Sequence, residues 1–308
     1  MERFLFPSTH NHSDRDALKD IAKTTIRAVN RGEYTIHDTI YMLHSHAAVQ
    51  GTRFFDHDSS SLSNWQSSPS VLFGNRRSQQ SHISILEIST LRCARLLTNI
   101  LRLRPANSRK VGVLNFASAT KPGGGFLNGA QAQEESIARS STLYPTLVSH
   151  VAREFYEIHN DDPTNAFYTH SIIYSPDVEV FRDDDGGWTK PMSIEVLTCA
   201  AVNAGEVRGT RNSVPAGQST EGRIRSVMGE RMARILYLFE KKGVRNLVLG
   251  SFGTGVFRND VDAIAQIWAD LLSGPSARFG KSFDRVMFAI MGRQTFVEFE
   301  ESFNGRTR

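Results

Sequence analysis

Three glycines, Gly123-Gly124-Gly125, stand seven residues ahead of Gln133-Glu134-Glu135. Consecutive glycines carry no side chain to keep a ligand away, and they reach backbone angles closed to other residues. Their N–H groups can converge on an anion such as a diphosphate; a lone triple glycine serves as often as a simple turn. No Gly-Lys-Ser/Thr follows, so this is not a Walker loop. The adjacent glutamates suit the start of a helix, where acids meet the dipole. A carboxylate held beside a bound diphosphate is disfavoured in its ionised form, which raises its pKa. A general acid working near neutral pH needs that property.

A second glycine loop lies at Gly250-Ser251-Phe252-Gly253-Thr254-Gly255-Val256-Phe257-Arg258-Asn259-Asp260. It runs from a strand pattern into a helix N-terminus, where backbone N–H groups and the dipole favour an anion. Gly253, Thr254 and Gly255 can close over phosphates, with Phe257 packed on a sugar or base. The plainer reading is a tight turn with Phe257 in the core. Two such loops in one chain point to a nucleoside-diphosphate-like ligand.

The elements that must position these loops alternate between strand and helix. The pattern predicts strands at 83–88, 111–116, 172–174, 178–181, 194–200, 246–249 and 286–290. Helices are expected at 15–30, 91–103, 134–159, 223–241 and 261–272, with a last one at the C-terminus. Ser13 or Asp14 could cap the first helix and Gly32 end it. Residues 51–82, rich in Ser, Asn and Gln, read as a long loop. Such alternation argues for an α/β sheet with helices on both faces, and ligands bind such sheets at the carboxyl ends of the strands.

Composition narrows the function classes. The 308 residues are 40% apolar and 22% charged, with a formal charge of +4. That excess tolerates an anionic ligand but provides no dense basic block, so sequence-specific nucleic-acid binding is not expected. With only Cys93 and Cys199, neither a disulfide scaffold nor a cysteine-rich zinc module fits. No apolar run is long enough for a membrane helix, and the N-terminus lacks a secretory pattern. An intracellular protein, cytoplasmic or nuclear, is expected.

These residues together resemble the microbial-type, macrodomain-superfamily poly(ADP-ribose) glycohydrolases. The family signature is three glycines, six to eight residues, then Gln-Glu-Glu, and this chain meets it at Gly123–Gly125 and Gln133–Glu135. The loop GSFGTGVFRND, the segment YSPDVEVFRDDDG and the helix ALKDIAKTTIRAVNRGEY are also similar. The resemblance departs near 57–82, and Thr254 stands where many relatives carry a cysteine. It implies a three-layer α/β/α macrodomain with a mixed central sheet and an N-terminal helical extension. Residues 1–82 would form that extension with its Ser/Gln-rich loop, packed on or leading into the catalytic domain at 83–308. The implied reaction cleaves ribose–ribose O-glycosidic bonds of poly(ADP-ribose), releasing ADP-ribose and reversing ADP-ribosylation, as in a DNA damage response. Glu135 would be the acid and base, and Glu134 would hold the ribose hydroxyls. Gly123 to Gly125 with Gly253, Thr254 and Gly255 would cradle the diphosphate. Val256 and Phe257 would meet the distal ligand, and Asn115, Ala117 and Gln133 would flank the ribose. Partners would be the polymer or ADP-ribosylated proteins, with no membrane, cofactor or metal. A non-catalytic ADP-ribose-binding macrodomain, or a hydrolase of mono-ADP-ribosylated protein or nucleic acid, is the alternative.

Other clusters read more plainly. Asp183-Asp184-Asp185 before two glycines suits a solvated turn better than a cation site. His37, His44, His46 and His57 fit no zinc spacing. Cys93 reads as core. Asn203 reads equally as a turn residue or a pocket residue, and Arg293 is a candidate for lining the cleft.

Overall fold

The computed structural model describes residues 12–68, 80–103, 109–209, 219–274 and 276–307. Residues 1–11, on which the secretory-signal reading rests, and 69–79 of the Ser/Gln-rich stretch lie outside the described residues. The chain opens with α1 (His12–Arg31), a hairpin of β1 (Glu33–Ile36) and β2 (Thr39–Met42), α2 (Ser45–Gly51), β3 (Arg53–Phe55) and α3 (Ser60–Ser63). Then come β4 (His82–Glu87), α4 (Thr90–Arg102) and β5 (Val111–Phe116). After a 3-10 turn at Phe126–Asn128 follow α5 (Gln133–Ser140), α6 (Leu143–Leu147), α7 (His150–Asp161), β6 (Ile172–Arg182) and β7 (Trp188–Cys199). The chain closes through α8 (Ala204–Gly209), α9 (Thr220–Lys241), β8 (Asn246–Leu249), α10 (Val261–Leu272), β9 (Arg285–Ile290) and α11 (Arg293–Thr307).

Seven strands form one mixed sheet in the order β3-β6-β7-β5-β8-β9-β4. The pairs β7–β5, β5–β8, β8–β9 and β9–β4 are parallel, whereas β3–β6 and β6–β7 are antiparallel. Alternation along the central strands separates two cores. Leu114, Leu197, Cys199, Leu247, Leu249 and Phe288 face a cluster shared with α9, α10 and α11. Val111, Val113, Val196, Val248 and Met287 face one shared with α4, α6 and α7. The result is the three-layer α/β/α architecture.

Several boundaries differ from expectation for local reasons. The helix expected over 134–159 is three helices. Pro145 clashes with a helical carbonyl four residues earlier, and Ser141 is accordingly extended and bridges Val180. The two short strands expected around 172–181 are one, with its register shifted between Ser175 and Val178, where Pro176 lies. The stretch 51–82 is not simply a loop. Arg53–Phe55 pairs with β6 as the sheet's edge strand, too short to leave a periodic signal. Ser13 and Asp14 lie inside α1 rather than ahead of it, while Gly32 ends the helix with φ +74. The outer helix α1 is fastened to the glutamate region: Ala22 packs with Phe126 and Ala138, and Thr25 Oγ1 donates to the Arg139 carbonyl at 2.6 Å.

Candidate active site

The parallel strands β5, β7 and β8 end together, and both glycine loops leave from that end. The last residues of β5 already carry functional chemistry. Asn115 is fully buried, and its Nδ2 donates to Glu134 Oε1 at 3.2 Å and to Thr198 Oγ1 at 3.1 Å. Ala117 extends the ladder by one bond, its N–H on the Cys199 carbonyl at 3.1 Å. Gln133 is the fastener between loop and strand. Its Oε1 accepts from the Phe116 N–H at 2.8 Å and its Nε2 donates to the Leu114 carbonyl at 2.7 Å. That amide copies a neighbouring strand's hydrogen bonds, and it fixes the start of α5 against the end of β5.

The two glutamates in the first turn of α5 diverge by the helical rotation of about 100° per residue. Glu134 turns inward and is buried. Its Oε2 accepts from the Ser118 N–H at 2.7 Å. Burial pushes its pKa from the ordinary 4.5 up to about 8; the charge of Glu135 adds to this, and the donors Ser118, Asn115 and Gly123 oppose it. Glu135 is also buried, with 9% of its surface exposed. Its Oε1 accepts from the Gly125 N–H at 3.0 Å. No hydrogen bond from a described residue reaches its Oε2. Arg139, one helical turn on, is a buried cation whose pKa is lowered by burial and raised back by the charge of Glu135.

The triple glycine therefore makes room for the protein's own carboxylates. Gly123 and Gly124 have φ of +68 and +57. A Cβ on Gly124 would collide with Glu135 Oε1 and lie 3.2 Å from Glu134 Oε2. Of the three N–H groups, Gly125 donates to Glu135 Oε1 at 3.0 Å and Gly124 to the Lys121 carbonyl at 2.9 Å.

The second loop is built otherwise. Gly253 has φ +77, and a Cβ there would strike Ala201 and the Asn259 amide. Asn259 Nδ2 ties the loop by donating to the carbonyls of Val202 at 2.7 Å and Gly253 at 3.0 Å. Gly255 faces open space, Val256 is 81% exposed, and Thr254 bonds back to the Ser251 carbonyl through both its N–H and its hydroxyl. The N–H groups of Gly253, Gly255, Val256 and Phe257 have no acceptor among the described residues. Phe257 is half-buried, packed on the edge of the core with its ring 5.8 Å from that of Tyr168.

Behind this loop sits a residue outside the motifs. Arg231 of α9 is fully buried, with no carboxylate partner among the described residues. It donates to the carbonyls of Ala200 at 2.9 Å, Phe167 at 2.8 Å and Tyr168 at 3.2 Å. Burial lowers its pKa to about 10, which leaves it charged at neutral pH. It thus braces the segment under Gly253 and the wall that carries Tyr168. Its sequence signal was present: Arg231 interrupts the apolar face of Met228, Met232 and Ile235 on α9.

The remaining candidates fall elsewhere. Asn203 caps α8, its side chain accepting from the Glu206 N–H at 3.3 Å and donating to Glu206 Oε2 at 2.9 Å, and it lies beside Tyr168. Arg293 is exposed and pairs with Glu87 at 3.2 Å. Cys93 is buried, its thiol pushed up to about 12. Asp183 accepts from the N–H groups of Asp185 and Gly187 within a turn, and Asp184 pairs with Arg92 at 3.2 Å. Among the described residues no cluster of histidine, cysteine and acids has the form of a metal site, and no helix is long and apolar enough to cross a membrane.

Comparison with known proteins agrees with this geometry. Residues 22–183 match the family model described as the microbial-type PARG catalytic domain. The poly(ADP-ribose) glycohydrolase of Thermomonospora curvata is 33% identical, with TM-score 0.79, over 95% of this chain and all of that one. The same enzyme bound to the inhibitor ADP-HPD gives 33% identity and TM-score 0.77 over the same shares. The Deinococcus radiodurans enzyme in complex with ADP-ribose is 30% identical, with TM-score 0.71, over 87% of this chain and all of that one. No curated protein sequence matches. With the Gln-Glu-Glu turn pinned to β5 and two glycine loops at one end of a macrodomain sheet, the chain belongs to the microbial-type poly(ADP-ribose) glycohydrolase family of hydrolases.

Proposed function

We propose that the protein hydrolyses the ribose–ribose O-glycosidic bonds of poly(ADP-ribose) and releases ADP-ribose, with Glu135 as acid and base. The observation that carries this reading is the junction at Gly124, whose backbone lies against both carboxylates. Glu135, with one oxygen held by Gly125, has its other oxygen free of hydrogen bonds from the described residues. Its carboxylic acid protonates the leaving 2′-oxygen as the glycosidic bond breaks and its electron pair goes to that oxygen. The resulting carboxylate takes a proton from water, whose oxygen bonds the oxocarbenium-like anomeric carbon. Most glycosidases use a second carboxylate across the bond. Here the substrate's own diphosphate can balance the developing charge. Glu134 is spent on Ser118 and Asn115 and serves to orient the ribose and Glu135.

The diphosphate belongs mainly to Gly253, Thr254 and Gly255, where unengaged N–H groups lie in front of the buried Arg231 charge. Val256 and Phe257 border the distal part of the ligand, and Asn115, Ala117 and Gln133 set the floor beside the ribose. The test is product analysis with the wild-type protein on poly(ADP-ribose) and on mono-ADP-ribosylated protein. The expected result is free ADP-ribose from the polymer. Tight ADP-ribose binding with no release from either substrate would identify a binding module instead, and release from the mono-modified protein alone would identify a mono-ADP-ribosyl hydrolase.

A further inference from the structure

Beside the catalytic loop, on the outer face of α1, lies an open cavity of about 520 Å³ lined by Lys23, Ile26, Arg27, Asn30, Arg31 and Leu127. Five of these six residues follow one helical face, with Lys23, Arg27 and Arg31 four residues apart. At 1.5 Å per residue that places three cations along about 12 Å. Leu127, 46% exposed, supplies an apolar floor with the half-buried Ile26. Arg27 and Arg31 make no ion pair among the described residues, and Lys23 pairs only with exposed Asp20 at 3.4 Å.

We propose that this groove binds the polymer unit on the leaving side of the scissile bond, taking its diphosphate on Arg27 and Arg31 and an apolar ring face on Leu127 and Ile26. The inference rests on the glycohydrolase reading. If Glu135 delivers its proton to the leaving oxygen, the rest of the polymer departs past Glu135. Gly125, which holds Glu135, continues directly into Phe126 and Leu127. Phe126 packs on Ala22 of α1, so the groove and the catalytic loop form one rigid wall. An apolar floor edged by cations suits a chain that alternates purine rings with diphosphates, and a general polyanion surface would not require the floor.

The experiment compares wild type with the double variants Arg27→Glu/Arg31→Glu and Arg27→Lys/Arg31→Lys. Steady-state kinetics on long poly(ADP-ribose) are read beside calorimetric affinity for free ADP-ribose. The glutamate pair should raise KM for polymer roughly tenfold, with kcat and ADP-ribose affinity kept and a shallower salt dependence; the lysine pair should stay near wild type. A KM equal to wild type overturns the groove while the glycohydrolase reading stands. Equal loss of ADP-ribose affinity in the glutamate variant overturns it as well, because the cations would then serve the terminal pocket. So does a matching loss of affinity for a single-stranded DNA oligonucleotide, which would mark a general polyanion surface. Wild-type protein that releases nothing from polymer defeats the glycohydrolase reading itself.

Discussion

The two glycine loops use the same residue type for opposite ends. In the first, the space above Gly124 is filled by Glu134 and Glu135, and the Gly125 N–H is spent on Glu135. In the second, Gly255 faces open space and four consecutive-region N–H groups, at Gly253, Gly255, Val256 and Phe257, lack acceptors. The backing differs in sign too: two carboxylates behind the first loop, the buried guanidinium of Arg231 behind the second. The buried charge of Arg231 would favour an anionic diphosphate at the second loop, and the raised pKa of Glu134 leaves no comparable fixed charge at the first. A glycine run thus reports only that something must come close, and its neighbours decide whether that is a ligand or the protein's own acid.

The strongest test of the contrast between the loops, after the Glu135→Gln variant, breaks the backing of the second loop. Arg231→Met leaves the carbonyls of Ala200, Phe167 and Tyr168 without their donor, which should cost roughly 3 kcal/mol or more. Chemical denaturation reads this directly, and a loss below about 1 kcal/mol would deny Arg231 its bracing role. Next, Gly124→Ala pushes a methyl group into Glu135. Displacing a catalytic group by an ångström costs roughly 10²-fold, so polymer turnover should fall by about that much while ADP-ribose affinity changes little. A variant that loses affinity but keeps kcat would return the diphosphate to the first loop.

A third effect is a pH dependence set by Glu134. Its carboxyl value is raised from 4.5 to about 8 in the folded protein, so the folded state binds the proton more tightly than the unfolded chain does. The contribution is fully present below the ordinary carboxyl value and is lost as pH rises through the folded value. The stability difference between wild type and Glu134→Gln should therefore move against wild type between about pH 5 and pH 9, by up to about 5 kcal/mol. A flat difference curve would mean that Glu134 is ionised throughout. The smallest effect belongs to Gly255. With nothing near its missing side chain, Gly255→Val should leave stability within about 0.5 kcal/mol. It should weaken ADP-ribose binding about tenfold, the worth of one charge-assisted hydrogen bond. Unchanged affinity would remove Gly255 from the cradle.

The central strands were legible because each is a buried run bounded by turn residues; Val111–Phe116 and Asn246–Leu249 match their expected limits. Edge strand Arg53–Phe55 was not, since three residues carry no period and its pairing partner lies more than a hundred residues away. In the site, the spacing of Gly123–Gly125 and Gln133–Glu135 pointed to residues that the structure brings together, Gly124 lying against both glutamates. What each group touches was not readable from spacing. Gln133 is absorbed by the Leu114 and Phe116 backbone, and Asn203 by Glu206. Arg231 could have been suspected from a charge within the apolar stripe of α9, although its carbonyl partners come from two distant loops.

The most direct test of the division between the loops is Glu135→Gln, measured for polymer turnover and ADP-ribose affinity side by side. Glutamine keeps the acceptor for the Gly125 N–H but cannot cycle a proton. Turnover should fall by roughly 10³- to 10⁴-fold, the upper range for general acid–base catalysis, because one group serves both steps. Affinity should stay near wild type if, as proposed, the second loop takes the diphosphate. Near-parental turnover in that variant would contradict Glu135 as the acid and base, and a parallel collapse of affinity would contradict the separation of chemistry from binding.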